Sequence, residues 1–103
     1  MIKDWKLKLR YGKLTTSYKH YTVLVPVKID KYIEDFDAQP GTAWITVNTW
    51  TKDRNEACNM ITDIGQQSGF IITGKFEVYA TEAMQPPQES PYAYNVNFSY
   101  YKE

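Results

Sequence analysis

A single stretch of this 103-residue chain carries the pattern of an amphipathic helix, and it stands among segments that alternate between apolar and polar residues. Asp53 is a good N-cap, and Glu56 three residues later completes a capping box. The apolar residues that follow lie on one helical stripe: Ala57, Met60, Ile61 and Ile64. Gly69 is the better of two stopping points. These features predict one helix, from about residue 53 to 67, with one face to bury.

Alternation with a period of two predicts strands on both sides of this helix. The predicted strands cover residues 5–11, 20–29, 42–50, 70–81 and 92–101. Pro26 cannot donate to a ladder, which favours an edge strand or a bulge. Gly74 marks a bulge or the close approach of other atoms, which we expect to be those of the helix. In the last strand, unbroken alternation places Tyr92 and Tyr94 on the same face as Phe98.

The predicted order is β-β-β-α-β-β in a single α+β domain that spans residues 1–103. A lone helix covers one face of a five-stranded antiparallel sheet, so the other face is solvated or packed on a partner. The single cysteine excludes an internal disulfide. The start lacks an apolar run of signal-peptide length, and no run is long enough to span a bilayer. We therefore expect a cytoplasmic protein with no membrane contact.

Two residues are candidates for chemistry. His20, the sole histidine, would need an orienting acid to act as a base, such as Asp35 or Glu77 in a shared pocket. The alternative is a surface histidine at a strand end. Cys58 follows Arg54 by four residues on the predicted helix, and a cationic neighbour favours a reactive thiol. The alternative is a small half-buried filler. No paired catalytic set is recognisable, so we assign no catalytic residue and expect a protein that is not an enzyme.

Charge is unevenly distributed along a chain of zero net charge. Residues 1–28 hold seven basic residues and one acidic, whereas residues 29–103 hold five basic and eleven acidic. The basic face of the first predicted strand could contact phosphates, with neighbouring tyrosines stacking on bases. The residues concerned are Lys6, Lys8, Arg10, Tyr11, Tyr18 and Tyr21. The zero net charge argues against nucleic acid as a partner. The alternative is that both charge sets lie on solvated surface.

Metal and cofactor sites are not expected from these residues. The acidic segment 30–37 lacks the ligand spacing and the glycine of a calcium loop, so a solvated acidic turn or an acidic contact surface is favoured. One cysteine and one histidine cannot form a structural zinc site within one chain. No glycine-rich phosphate loop opens the helix.

Aromatic residues make up 16% of the chain, and nine of them are tyrosines. Four aromatics have no evident place in the predicted helix-side core: Trp44, Trp50, Tyr79 and Tyr101. A broad exposed aromatic patch marks an interface or groove. We therefore expect a non-enzymatic binding or interaction module that forms a homo-oligomer, most simply a dimer, through this surface, or that holds an unidentified protein partner. The alternatives are a sheet that curls and buries both faces, and a small-ligand-binding protein or small enzyme with a pocket near His20.

A set of short motifs along the chain resembles those of small uncharacterised bacterial proteins of the kind carried on mobile, integron-type gene cassettes. The motifs are Leu9–Gly12, Tyr18–Thr22, Gly41–Trp44, Glu77–Tyr79, Gln85–Pro87 and Pro91–Tyr94. The resemblance covers nearly the whole chain. It implies a bacterial origin and a cytoplasmic setting, and it implies no catalytic or binding residue.

Overall fold

The structure is a computed structural model, and it describes residues 16–101. Its elements are β1 (Lys19–Ile29), β2 (Gly41–Thr51), α1 (Arg54–Ser68), β3 (Phe70–Ile72), β4 (Glu77–Ala80) and β5 (Tyr92–Tyr101). The strands form one antiparallel sheet in the order β3-β1-β2-β5, and β4 lies beside β3 along the same side of β1. This confirms the α+β prediction of one helix on an antiparallel sheet of five strands. The strand predicted over residues 5–11 lies outside the described residues.

The helix begins and ends where its local signals predict. The Asp53 carboxylate accepts the backbone N–H of Glu56 at 2.8 Å, and the Glu56 carboxylate accepts that of Lys52 at 2.7 Å. At the other end, Gly69 adopts a left-handed conformation with φ of 109°. The helix buries its small and branched residues, Ala57, Ile61 and Gly65, against the sheet. Both ends are determined by neighbours within a few residues, which is why the sequence predicts them well.

The core lies between α1 and the facing side of the sheet. Val23, Val25 and Val27 of β1, with Ile45 and Val47 of β2, are fully buried at alternate positions. Burial of each such side chain contributes roughly 1.5–3 kcal/mol of hydrophobic free energy. This layer fixes the two long strands and therefore the positions of the side chains on the opposite face, here called the far face.

The sequence predicts that Pro26 lies on an edge strand or at a bulge. The edge strand is wrong, because β1 is flanked on both sides, and the pairing of β1 with β2 runs through Pro26 without a bulge. The carbonyl of Pro26 accepts the N–H of Thr73 at 2.9 Å, so its donor-less nitrogen also faces the β3–β4 side. There the predicted strand 70–81 is interrupted and splits into β3 and β4. Gly74 lies in the gap, where a Cβ would be 2.5 Å from Pro26 Cγ. The close neighbour of Gly74 is therefore the proline ring and not the helix.

Strand β5 contains a bulge that breaks its alternation. Asn95 has a φ of 58°, and the pairing with β2 shifts between Thr46 and Asn48. As a result, Tyr92 and Tyr94 lie on the far face, in register with Trp50 and Asn48, whereas Phe98 packs on the helix side. The prediction that these aromatics share one face is wrong, because asparagine tolerates the left-handed conformation that the bulge requires.

Candidate functional site

The far face has two parts, which the pairing register defines. At one end, beneath the loop of residues 82–91, lie the side chains of an aromatic clamp: Tyr18, Trp50, Tyr92 and Tyr94. At the other end lies an open patch of half-buried and exposed side chains, whose central members are Leu24, Trp44, Thr46 and Tyr101. The clamp and the patch are therefore neighbouring regions of one sheet surface with different environments.

The clamp holds the 82–91 loop through the polar tips of its aromatic rings. The Trp50 indole N–H donates to the carbonyl of Gln85 at 2.7 Å, and the Tyr18 hydroxyl donates to that of Glu89 at 3.1 Å. The Tyr92 hydroxyl donates to the carbonyl of Pro86. Buried aromatics with polar groups at the ring edge combine apolar contact with such hydrogen bonds. Part of the aromatic excess of the chain thus serves to fix a loop that has few apolar residues of its own.

Tyr94 joins this loop to His20. Its hydroxyl oxygen accepts the backbone N–H groups of Met84 at 2.9 Å and Gln85 at 3.3 Å, and lies 2.7 Å from His20 Nε2. His20 Nδ1 lies 3.1 Å from the carbonyl oxygen of Thr81 and 3.0 Å from its hydroxyl oxygen. The Thr22 hydroxyl donates to Asn48 Oδ1, so the Thr81 hydroxyl donates to Thr22 and is left as an acceptor towards Nδ1. Both Thr81 oxygens therefore accept, and Nδ1 carries the hydrogen. Nε2 therefore accepts the Tyr94 hydroxyl proton. The bonds define a neutral imidazole in a single tautomer.

His20 is buried, with 8% of its surface exposed, so the expectation of a surface histidine is wrong. Its ring meets Trp50 edge-on at 5.1 Å between centroids. Burial lowers the pKa of His20, and the hydrogen bond to the Thr81 backbone opposes this in part. Both ring nitrogens bond to the partners named above, neither of which is a carboxylate. This environment holds the histidine neutral as a structural hydrogen-bonding residue.

The four aromatics predicted to form an interface occupy different environments. Trp50 is 4% exposed beneath the loop, so the expectation that it lacks a place inside the domain is wrong. Trp44 and Tyr101 are half-buried in the open patch, with ring centroids 6.2 Å apart. Tyr79 is 49% exposed on β4, and its hydroxyl donates to Glu77 at 2.7 Å, which raises the pKa of Tyr79. The sequence did not reveal the clamp, because its contacts join residues far apart in the chain.

The arrangement around Cys58 favours the filler interpretation. Its thiol is half-buried, and burial raises the pKa of Cys58, which disfavours the nucleophilic thiolate. Arg54 points elsewhere: its guanidinium donates to the carbonyl of Val78 at 2.7 Å and lies 5.6 Å from the ring centre of Tyr21. Arg54 therefore anchors the start of the helix to β4 and β1.

Among the described residues, the acidic segment and two of the three tyrosines proposed for base stacking, Tyr18 and Tyr21, have partners within the domain, and Tyr11 lies outside the described residues. Glu34–Phe36 is a short 3-10 turn, and the Tyr32 hydroxyl donates to Asp37 at 2.6 Å. Within residues 16–101, no group of three histidine, cysteine or carboxylate side chains is placed to hold a metal ion. Tyr21 is 6% exposed and Tyr18 belongs to the clamp, so neither offers a free ring face. The basic residues of the predicted first strand lie outside the described residues.

A surface groove of about 600 Å³ runs along the solvent side of α1. It is lined by polar residues such as Asn59 and Asp63, with Met60, Ile64 and Pro91, and it does not include His20.

In the part of the chain that the structure describes, no helix has the length and hydropathy needed to cross a bilayer. No family model matches the chain, and no curated protein or solved structure matches it.

Proposed function

We propose that this chain is a non-enzymatic interaction module that works as a homodimer through the open patch of the far face. The observation that carries the proposal is the Trp44–Tyr101 pair, two half-buried aromatic rings on a sheet face opposite the only helix of residues 16–101. Aromatic residues at the centre of a patch are typical anchors of protein interfaces. A bacterial origin on a gene cassette and a cytoplasmic location belong to the same proposal.

The composition of the patch supports a protein partner. The register aligns Leu24 with Thr46 and Asn97, and the next row aligns Pro26 with Trp44. Apolar side chains flanked by uncharged polar ones match the depletion of charge at interface centres. Within the described residues, Lys28 and Glu77 stand at the margin of this face, both exposed. Charges there contribute to encounter rate and register, since exposed pairs are worth about 0–1 kcal/mol each.

The alternative of a small enzyme or ligand carrier around His20 has less support. The His20 ring lies beneath the 82–91 loop, and its two nitrogens bond to Thr81 and Tyr94. A general base must reach its substrate proton directly or through one water. Catalysis at His20 would therefore require the loop to leave.

Sedimentation velocity at micromolar concentration, at low and moderate salt, tests the dimer. We expect a dimeric wild type and a monomeric Trp44→Thr variant, because threonine keeps the β propensity and removes the ring. The control is Tyr32→Thr, which removes an aromatic side chain that is 49% exposed outside the sheet and should leave the dimer intact. Far-UV circular dichroism verifies that both variants are folded.

A monomeric wild type at both salt concentrations would contradict the proposal. So would a dimer that survives Trp44→Thr but not Tyr32→Thr, because the contact would then lie near the Tyr32 loop and not on the far face. Turnover of a hydrolase or transferase substrate that is lost in His20→Ala would support the enzyme alternative instead.

A further inference from the structure

The Tyr94 hydroxyl connects one titratable side chain, that of His20, to the backbone of the 82–91 loop. It accepts two backbone N–H groups of the loop, those of Met84 and Gln85, and donates its own proton to His20. A phenolic oxygen has about two acceptor positions and one proton. All of its hydrogen-bonding capacity is therefore used while His20 is neutral.

Protonation of His20 is incompatible with this arrangement. The added proton would occupy Nε2, which faces the Tyr94 oxygen at 2.7 Å, since Nδ1 already donates to the Thr81 carbonyl. The Tyr94 oxygen would then face three donors, and its own proton would lose its acceptor. One or more contacts must break, and the weakest by distance is the one from Gln85 at 3.3 Å.

We propose that His20 and Tyr94 form a pH-sensitive latch: protonation of His20 releases the Met84–Gln85 backbone from Tyr94 and opens the start of the 82–91 loop, while Tyr92 and Tyr18 keep their bonds to the carbonyls of Pro86 and Glu89. The inference is independent of the proposed dimer, because the latch lies at the other end of the far face. Movement of Gln85 would also withdraw its carbonyl from the Trp50 indole. The part of the far face around His20 and Trp50 would thereby become accessible at low pH.

The surroundings of His20 set the pH range of the latch. From β5 the titratable neighbours are Tyr94 and, stacked on it at 5.7 Å, Tyr92. From β2 the neighbour is the neutral Trp50 ring. Charged residues flank the site at Lys19 in β1 and at Glu82 and Glu89 in the loop, all exposed. Burial outweighs the hydrogen bond to Thr81 and lowers the pKa of His20, so release occurs below pH 6.5, the ordinary value.

Hydrogen exchange of the Met84 and Gln85 amides between pH 7.5 and pH 5, corrected for intrinsic rates, tests the latch. We expect protection of both amides to fall about tenfold on acidification, the loss of one hydrogen bond of roughly 1.4 kcal/mol. Tyr94→Phe removes the hydroxyl and should abolish protection at every pH. His20→Gln removes the titration and should leave protection independent of pH. Tyr100→Phe, which loses a hydroxyl bonded to the distant Gln39 carbonyl, should behave as the wild type.

The imidazole nitrogen shifts of His20, followed by NMR over the same range, separate the outcomes. A neutral ring protonated at Nδ1 that titrates together with the loss of amide protection supports the latch. Titration without any change in the Met84 and Gln85 amides would overturn it, as would a ring that stays neutral while the loop opens. An unchanged pH dependence in His20→Gln would overturn it as well, and this readout does not require Tyr94→Phe to fold.

Discussion

The ring of Pro26 lies so close to the backbone of Gly74 that a Cβ added to the glycine would stand 2.5 Å from Pro26 Cγ. The position of the Pro26 ring therefore requires residue 74 to have no side chain. The pair also marks the gap between β3 and β4, the two short strands that share one side of β1. The proline and the glycine together account for the division of a stretch that alternation alone predicts to be continuous.

Gly74→Ala should therefore destabilise the domain by about 1–3 kcal/mol, the range for overpacking at a site that cannot yield. In a Pro26→Ala background the same change should be close to neutral, because the ring that it would strike is gone. Urea unfolding of the four proteins of this double-mutant cycle measures the coupling. Additive effects would show that the two residues do not constrain each other.

Substitution by alanine should be unfavourable at both Gly65, within the helix, and Gly69, at its C-cap, but for different reasons. A Cβ on Gly65 would lie 2.7 Å from the Phe70 ring and 3.0 Å from the Phe70 carbonyl oxygen. Gly65→Ala should therefore lower the unfolding free energy by about 1–2 kcal/mol, despite the better helix propensity of alanine. Gly69→Ala has free space but a φ of 109°, so its loss should arise from backbone strain. Phe70→Leu should relieve the first defect only in part, since the carbonyl contact remains, and should leave the second unchanged.

Removal of the helix N-cap should be measurable in isolation. Asp53→Ala loses the bond to the Glu56 N–H and should reduce the unfolding free energy by about 1 kcal/mol. Asp63→Ala, an exposed acidic residue late in the same helix, is the matched control. It should be neutral or slightly stabilising, because Asp63 lies outside the first turn, where a carboxylate caps the helix, and alanine has the better helix propensity. Equal losses in the two variants would contradict the capping role.

The two described tryptophans should respond differently to the same substitution. Trp50→Phe removes the hydrogen bond to the Gln85 carbonyl and leaves unfilled volume under the loop, a loss of about 1–3 kcal/mol. Trp44→Phe alters a half-buried ring in the open patch and should change the unfolding free energy of the monomer by less than half as much. Denaturant unfolding at a concentration below the dimer dissociation constant makes this comparison. A larger loss in Trp44→Phe would contradict the assignment of Trp50 to the clamp.

His20 should make the stability of the domain depend on pH. Its folded pKa lies below its unfolded value of 6.5, so the unfolded chain binds more protons on acidification. The contribution of His20 to stability is complete above pH 6.5 and is lost as the pH falls through the folded pKa. The difference in unfolding free energy between wild type and His20→Gln should accordingly shrink between pH 7.5 and pH 5. A difference that grows in acid would mean that the folded protein stabilises the charged ring.

The parts of the fold that the sequence predicts are those determined by local contacts. The cap at Asp53 and the stop at Gly69 lie within the helix that they bound, so its limits follow from a few neighbouring residues. The break at Gly74 depends on Pro26, which belongs to another strand, so no local pattern contains it. The break could have been predicted only by considering Pro26 in one predicted strand together with Gly74 in another.

The candidate site was harder to predict, because its hydrogen bonds join distant positions. His20 and Tyr94 are separated by 74 positions in the chain, and Trp50 and Gln85 by 35. Alternation assigned Tyr94 to the wrong face, which removed it from the neighbourhood of His20. Trp44 and Tyr101 lie together on the far face, as expected of residues with no place in the helix-side core.

The bulge at Asn95 has a consequence for insertions and deletions in β5. Before and after Asn95, the odd-numbered and even-numbered residues exchange faces of the sheet. The face on which each side chain of β5 lies therefore depends on the number of residues in the strand as well as on their types. Deleting Asn95 would remove the extra residue and leave Tyr92 and Tyr94 on the far face, because Tyr94 and Phe98 would then be an odd number of positions apart. Inserting one residue beside Asn95, with the bulge kept, would instead turn Tyr92 and Tyr94 towards the helix. His20 would then lose its phenolic partner, and the 82–91 loop would lose its bonds to both tyrosines, although no contact residue had been substituted. A one-codon gain there would act as a defect of the whole surface.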